Sequence, residues 1–228
     1  MAREHEINFE DEDEVLAEMA EALDIDPDDL RIRADPGLEG FGTGTVYEIS
    51  IRGSKNGKEW KVVESYDQMR ELALEIVKQD LEEEPGNFEP SFIEQHINKD
   101  RLRRDLESDV LNMAEEDLRE MSDRDFWRTA EDYIEVPEED EDGDMPDPED
   151  YIEDVAEKMA ADQLKDPMEY LEGIYGDDAA KKAIEIAGID INAATEDAVD
   201  TDGPEHFVAR YDGNSSTTPN GLVYWRDN

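Results

Sequence analysis

The stretch Val46-Tyr47-Glu48-Ile49-Ser50-Ile51-Arg52-Gly53-Ser54-Lys55-Asn56-Gly57-Lys58-Glu59-Trp60-Lys61-Val62-Val63-Glu64-Ser65-Tyr66-Asp67-Gln68 decides the fold. Val46, Tyr47, Ile49 and Ile51 read as one strand and Glu59 to Val63 as the next, because β-branched and aromatic side chains suit a pleated surface. Ser54-Lys55-Asn56-Gly57 joins them as a hairpin turn, since Asn-Gly tolerates positive φ at both central positions. The period changes at Ser65. Ser65-x-x-Gln68 has the pattern of a capping box, and Met69, Leu72, Ala73, Ile76 and Val77 then recur at helical spacing until Pro85-Gly86.

Upstream, Leu30 to Ala34 reads as a further strand. Val15, Leu16, Met19, Ala20 and Leu23 make the apolar face of a helix over 11–23, broken by Asp26-Pro27-Asp28-Asp29. Downstream, Pro90 to Ile97 reads as a short helix. Leu102, Leu106, Val110, Leu111, Ala114, Leu118 and Met121 form the stripe of a long one over 100–121. Ser122-x-x-Asp125 caps the next, to about 134, with Phe126, Trp127, Ala130, Tyr133 and Ile134 inward. Beyond residue 150, further helices carry Ile152, Val155, Ala156 and Met159, then Met168, Leu171 and Ile174 after Asp166-Pro167, then Ala179 to Ala187 before Gly188. Ile189 to Val199 and a turn at Gly203-Pro204 follow. Asp212 to Asn220 reads as a loop and Leu222-Val223-Tyr224-Trp225 as a short terminal strand.

The expected class is therefore α+β and predominantly helical, with an N-terminal α-β-β-β-α unit around a small antiparallel sheet and a helical C-terminal part. The expected division is an α+β domain over 1–134 (sheet about 30–64), an acidic linker over 135–150, and a helical domain over 151–228 that ends in the short strand. The order α-β-β-β-α is similar in topology to the double-stranded-RNA-binding domain, over roughly the first third of the chain. That family carries a basic cluster at the start of its second helix. Here the position reads Ser65-Tyr66-Asp67-Gln68-Met69-Arg70, without the cations a phosphate backbone requires, so RNA binding is not expected.

Charge dominates the functional reading. The chain of 228 residues carries 67 acidic and 22 basic residues, for a net charge of −45. The excess is spread along the chain: net −11 over 1–64, −12 over 65–134, −10 over 135–150 and −12 over 151–228. Anionic lipid and nucleic acid would both repel such a surface. There is no Cys, hence no disulfide, thiolate metal site or Cys nucleophile. Neither an apolar signal core nor a run of transmembrane length is present, and the expected location is the cytoplasm.

No catalytic residue stands out. His5, His96 and His206 share no metal-ligand spacing, and Glu94-x-His96 and Glu205-His206 read as surface or half-buried pairs. Gly37-x-x-Gly40-x-Gly42-x-Gly44 precedes a strand, whereas phosphate cradles open a helix, so it reads as a β connection. Lys99, Arg101, Arg103 and Arg104 sit beside Asp100, Asp105 and Glu107, and self-neutralisation is their expected role. Phe126, Trp127, Tyr133, Tyr170 and Tyr175 fall on apolar helix faces and are expected in the core.

The densest acidic stretch, Glu135 to Asp150, offers Glu138, Glu139, Asp140, Glu141, Asp142, Asp144, Asp147, Glu149 and Asp150 as partner-binding candidates. Within it, Glu138-x-Asp140-x-Asp142-Gly143-x5-Glu149 nearly matches an EF-hand calcium loop. Glu138 fits the first position poorly, and Pro146 and Pro148 restrict the second half. The stretch therefore reads first as a solvated linker that needs no cofactor, with calcium as the alternative ligand.

Duplex DNA carries one charge per ~1.7 Å of axis, so −45 corresponds to roughly 75 Å of duplex, about 22 base pairs. The expected function is a non-enzymatic acidic protein that mimics nucleic-acid charge and occludes the DNA-binding site of a basic enzyme. Phage and plasmid antirestriction inhibitors are similar in composition and size. Two alternatives stand beside it: an acidic adaptor or regulator for a basic protein, and a protein adapted to high salt, which the scarcity of Lys (nine, against thirteen Arg) would suit.

Overall fold

The computed structural model describes residues 8–34, 44–52, 58–137 and 145–227. It shows an α+β protein, mostly helical, that divides into two compact units. The first comprises 1–83 and 191–228; the second, 84–190, is inserted between them in sequence.

The first unit opens with α1 (Glu12–Leu23), β1 (Leu30–Ala34), β2 (Tyr47–Ile51), β3 (Glu59–Val63) and α2 (Tyr66–Glu83). Its boundaries fall within a residue or two of those expected, because strong local signals fix them. Asp11 caps α1 by accepting the Asp13 N–H, and Asp24 closes it in the left-handed region at φ 55°. Ser65 Oγ accepts the Gln68 N–H at 3.2 Å as expected for the box. Gln68 Oε1 accepts the N–H of Glu64, one residue before the expected partner, at 2.7 Å. Gln68 Nε2 also donates to the Thr45 carbonyl at 2.9 Å, tying the helix start to the entry of β2. The chain passes close at Gly44, where φ is +96° and a Cβ would stand 3.1 Å from that amide nitrogen.

The sheet is antiparallel with order β1-β2-β3-β5-β4, where β4 is Ser215–Thr217 and β5 is Val223–Arg226. The Asn56-Gly57 turn lies outside the described residues, but the strands it joins pair in register, with Ile49 opposite Trp60. One face carries Leu30, Tyr47, Ile49, Trp60 and Val62, packed with Phe9, Val15, Met19 and Ala20. Alternation puts Glu48, Lys61, Val63, Val223 and Trp225 on the other face. On that face one row crosses all five strands: Arg33, Glu48, Lys61, Trp225, Ser215. Helices α9 (Ile191–Asp202) and α10 (Pro204–Val208) pack on α2 and complete the unit.

The terminal strand is thus correctly read as a strand but belongs to the N-terminal sheet, beside β3, and not to a separate C-terminal domain. β4 lies within the expected loop. Ser215-Ser216-Thr217 has no apolar alternation, and only its pairing with β5 defines it.

A buried network holds this hairpin to α1. Glu18, 6% exposed, accepts the Asn220 N–H at 2.9 Å and the Asn220 Nδ2 at 2.8 Å. Burial pushes its carboxyl pKa up, but the bonds from Asn220 and Thr218 outweigh this and hold it below the ordinary 4.5. A depressed carboxylate contributes stability above its unfolded pKa and loses it as pH falls through the folded value. Glu18→Gln, which turns an amide donor toward donors, is expected to cost about 1–3 kcal/mol at neutral pH. Urea titrations should show that difference shrinking below pH 4.5.

The second unit is helical: α3 (Pro90–His96), α4 (Lys99–Glu120), α5 (Asp123–Ala130), α6 (Ile152–Gln163), α7 (Pro167–Tyr175) and α8 (Ala179–Ala187). Asn98 caps α4, Ser122 caps α5 and Asp166 caps α7 ahead of Pro167. Ala114, Leu118, Phe126, Trp127, Ala130, Ile152, Val155 and Ala156 form one core, with Trp127 edge-on to Phe126 and to Tyr151. Near its ends the unit closes through an Ile97–Ile189 bridge and the Asp190 N–H donated to the His96 carbonyl at 3.0 Å.

The boundary expected at 135–150 falls inside this unit. Stripes on α4 and α5 before it and on α6 after it are each too narrow to form a core alone, and they share one. The division between the two units lies elsewhere, at 83/84 and 190/191.

Candidate functional site: the acidic faces

In the first unit, Asp67, Glu71 and Glu75 stand exposed in one line along α2 at i,i+4 steps of about 6 Å. Neighbouring α9 adds exposed Glu196, Asp197 and Asp200. Arg70 lies between the two helices with its guanidinium 2.7 Å from Asp200. The hydrogen bond to Asp200 and the charges of Asp200, Glu196 and Asp67 raise its pKa above the ordinary guanidinium range.

In the second unit the main face belongs to α4. From Asp105 to Glu120 it carries seven carboxylates and one cation, Arg119. Arg119 is taken up by Glu115 at 2.9 Å and Glu149 at 3.6 Å. Sixteen residues of helix span about 24 Å; Arg119 offsets one of the seven acids and Arg101 pairs with Asp105, which leaves one net charge per ~5 Å. A single DNA strand carries one per ~3.4 Å. Asp105, Glu107, Asp109, Glu116, Asp117 and Glu120 are all exposed.

Several other cations are paired within their own unit. Lys99 reaches Glu94 at 2.6 Å, Arg101 reaches Asp105 at 3.4 Å, Lys182 reaches Glu185 at 3.1 Å, and Arg210 reaches Asp80 at 3.7 Å. Exposed pairs of this kind add little stability. Their effect is to remove positive potential that would break up the acidic faces. The expected role of the Lys99–Arg104 cluster is met at Lys99 and Arg101.

Of the candidates in the acidic stretch, Glu138, Glu139, Asp140, Glu141, Asp142 and Asp144 lie outside the described residues, and with them most of the calcium-loop pattern. Asp147, Glu149 and Asp150 are exposed. Asp147 caps a single 3-10 turn by accepting the Glu149 N–H at 3.1 Å. The carboxylate of Glu149 faces Arg119.

His5 lies outside the described residues. His96 stacks near Phe92, and His206 meets the edge of Phe207. Glu94 is engaged by Lys99, and Glu205 accepts from Tyr66 and Ser215. Glu48, Glu59 and Asp227 place carboxylate oxygens within 4.8 Å of one another, a grouping the sequence does not reveal because Asp227 arrives with β5. The ammonium of Lys61 already lies among them, 2.8 Å from Glu48 and 3.5 Å from Asp227, while Arg33 also pairs with Glu48. These two cations offset two of the three carboxylate charges.

Two expectations about the core are corrected. Ile174 and Tyr175 are 45% and 44% exposed, although the periodicity turned them inward. α7 buries Pro167, Met168 and Leu171, and its last turn, before Gly176 at φ 55°, runs past its packing partners.

Among the described residues, no helix is long and apolar enough to cross a membrane. No protein family, curated protein or solved structure matches the chain.

Proposed function

We propose that the protein is a non-enzymatic inhibitor that presents carboxylates in place of DNA phosphates and occludes the cationic groove of a DNA-binding enzyme, in the manner of antirestriction proteins. The observation that carries this reading is the charge spacing on α4 over 105–120, one net charge per ~5 Å against ~3.4 Å for a DNA strand. Each unit bears an acidic face, and several of its cations are engaged in internal pairs. Like charges at i,i+4, as along α2, cost several tenths of a kcal/mol per pair. A surface kept that way favours a cationic partner over helix stability. Partner association would be steered by long-range attraction and weakened by salt. The protein performs no reaction in this mechanism, and a cytoplasm where such enzymes act is the compartment it implies.

The test is displacement. Added to a restriction endonuclease or DNA methyltransferase bound to labelled duplex, the protein should release the DNA in proportion to its concentration. Circular dichroism at about 50 mM NaCl should show an intact fold. Unfolding there by self-repulsion would assign the acidity to a high-salt environment instead.

A further inference from the structure

The second unit exposes apolar side chains in the middle of its acidic face. Met113 on α4 is 48% exposed, with Ile174 and Tyr175 of α7 nearly as open. Half-buried Tyr170 joins them: its hydroxyl donates to Met113 Sδ at 3.4 Å, and Ile174 follows one turn later on α7. Asp109 and Asp117 stand one turn either side of Met113. Burial, with Tyr175, Asp109 and Asp117 close by, pushes the Tyr170 hydroxyl pKa up. Lys182 sits 6.0 Å above the Tyr175 ring while paired to Glu185. It shows where an incoming cation can rest on an aromatic face flanked by acids.

The geometry points to a docking site for a basic amphipathic helix of another protein. Its apolar residues would lie on Met113, Tyr170, Ile174 and Tyr175, and its Lys or Arg residues would meet Asp109 and Asp117. Charge selects this occupant. A second copy brings the same −45, and nucleic acid or an anionic bilayer is repelled likewise. A carboxylate rim around an apolar centre complements a helix with cations flanking apolar anchors at i, i+3, i+4 and i+7. The site shares the α4 carboxylates Asp109 and Asp117 with the proposed function, but not its apolar centre. DNA mimicry requires no apolar anchor.

The experiment compares two labelled helical peptides of identical Lys, Arg and Leu content, one with the leucines on one face and the other scrambled. Each is titrated with the full chain at about 150 mM NaCl and followed by anisotropy. The amphipathic peptide should bind about tenfold tighter. Met113→Ser with Ile174→Ser should abolish that preference and leave the scrambled peptide's affinity unchanged. Ile174→Ser alone, at an exposed position, should reduce it if the double variant does not fold. Equal binding of the two peptides, or a preference that survives both variants, overturns the proposal. So does a dimer in sedimentation velocity that the double variant dissolves, since a second copy would then be the occupant. Failure of DNA displacement with the peptide preference intact would overturn the mimic reading and not this one.

Discussion

Lys61→Ala is expected to destabilise the first unit by about 3–5 kcal/mol, a large part of the ~5–15 kcal/mol that holds a typical domain together. The Lys61 and Glu48 side chains are only 8% and 9% exposed and lie 2.8 Å apart in the middle of the sheet. Removing the ammonium leaves buried Glu48 beside Glu59 and Asp227, paired with the largely exposed Arg33. The cost comes from the stranded charge and not from the worth of the pair. Replacing both partners, Glu48→Leu with Lys61→Met, should therefore recover most of the loss. Urea denaturation of the two variants checks this. A double variant as unstable as Lys61→Ala would show that the loss is one of packing.

Trp225→Ala should cost a similar 3–5 kcal/mol. Trp225 is 2% exposed and sits on β5, opposite Lys61 on one side and Ser215 on the other. Truncating it opens a cavity under the row that joins all five strands, so the terminal hairpin should loosen first. Hydrogen exchange would show early loss of protection at Val223 to Arg226, whose pairing depends on this residue, before Tyr47 to Ile51. Uniform loss across the sheet would mean that the hairpin is not a separate layer of stability. Trp225→Phe, which keeps most of the volume, should cost less.

These two residues also show what was legible in the chain. Elements were readable wherever a local signal existed: Ser65-x-x-Gln68 for α2, Asp166-Pro167 for α7, alternating β-branched residues for β2 and β3. Pairings across long sequence distances were not. Nothing in Leu222-Val223-Tyr224-Trp225 states that its partner is β3, some 160 residues earlier. That pairing, with the packing of α9 and α10 on α2, places the unit boundaries at Glu83/Glu84 and Asp190/Ile191. The acidic stretch misled because composition reports solvent exposure, and a solvated segment can cross one core as readily as it can link two. The Lys61 cluster was invisible for the same reason as the pairing, since Asp227 reaches it only through β5. On the functional side, the sign and density of charge were plain from composition. The internal use of the cations needed side-chain geometry, as did the exposure of Met113, Ile174 and Tyr175.

The central claim is that the acidic faces stand in for a nucleic-acid backbone, and the salt dependence of partner binding tests it most directly. The measurement is the affinity for a displaced restriction endonuclease or methyltransferase between about 50 and 200 mM salt. It is made for the natural chain and for Asp105→Asn/Asp109→Asn/Glu116→Gln/Glu120→Gln on α4. A backbone mimic should lose roughly 10³–10⁵ in affinity over that range, as multi-phosphate contacts do, with a shallower slope for the variant and full competition by duplex DNA. A flat slope, or a complex that persists in saturating duplex DNA, would contradict it.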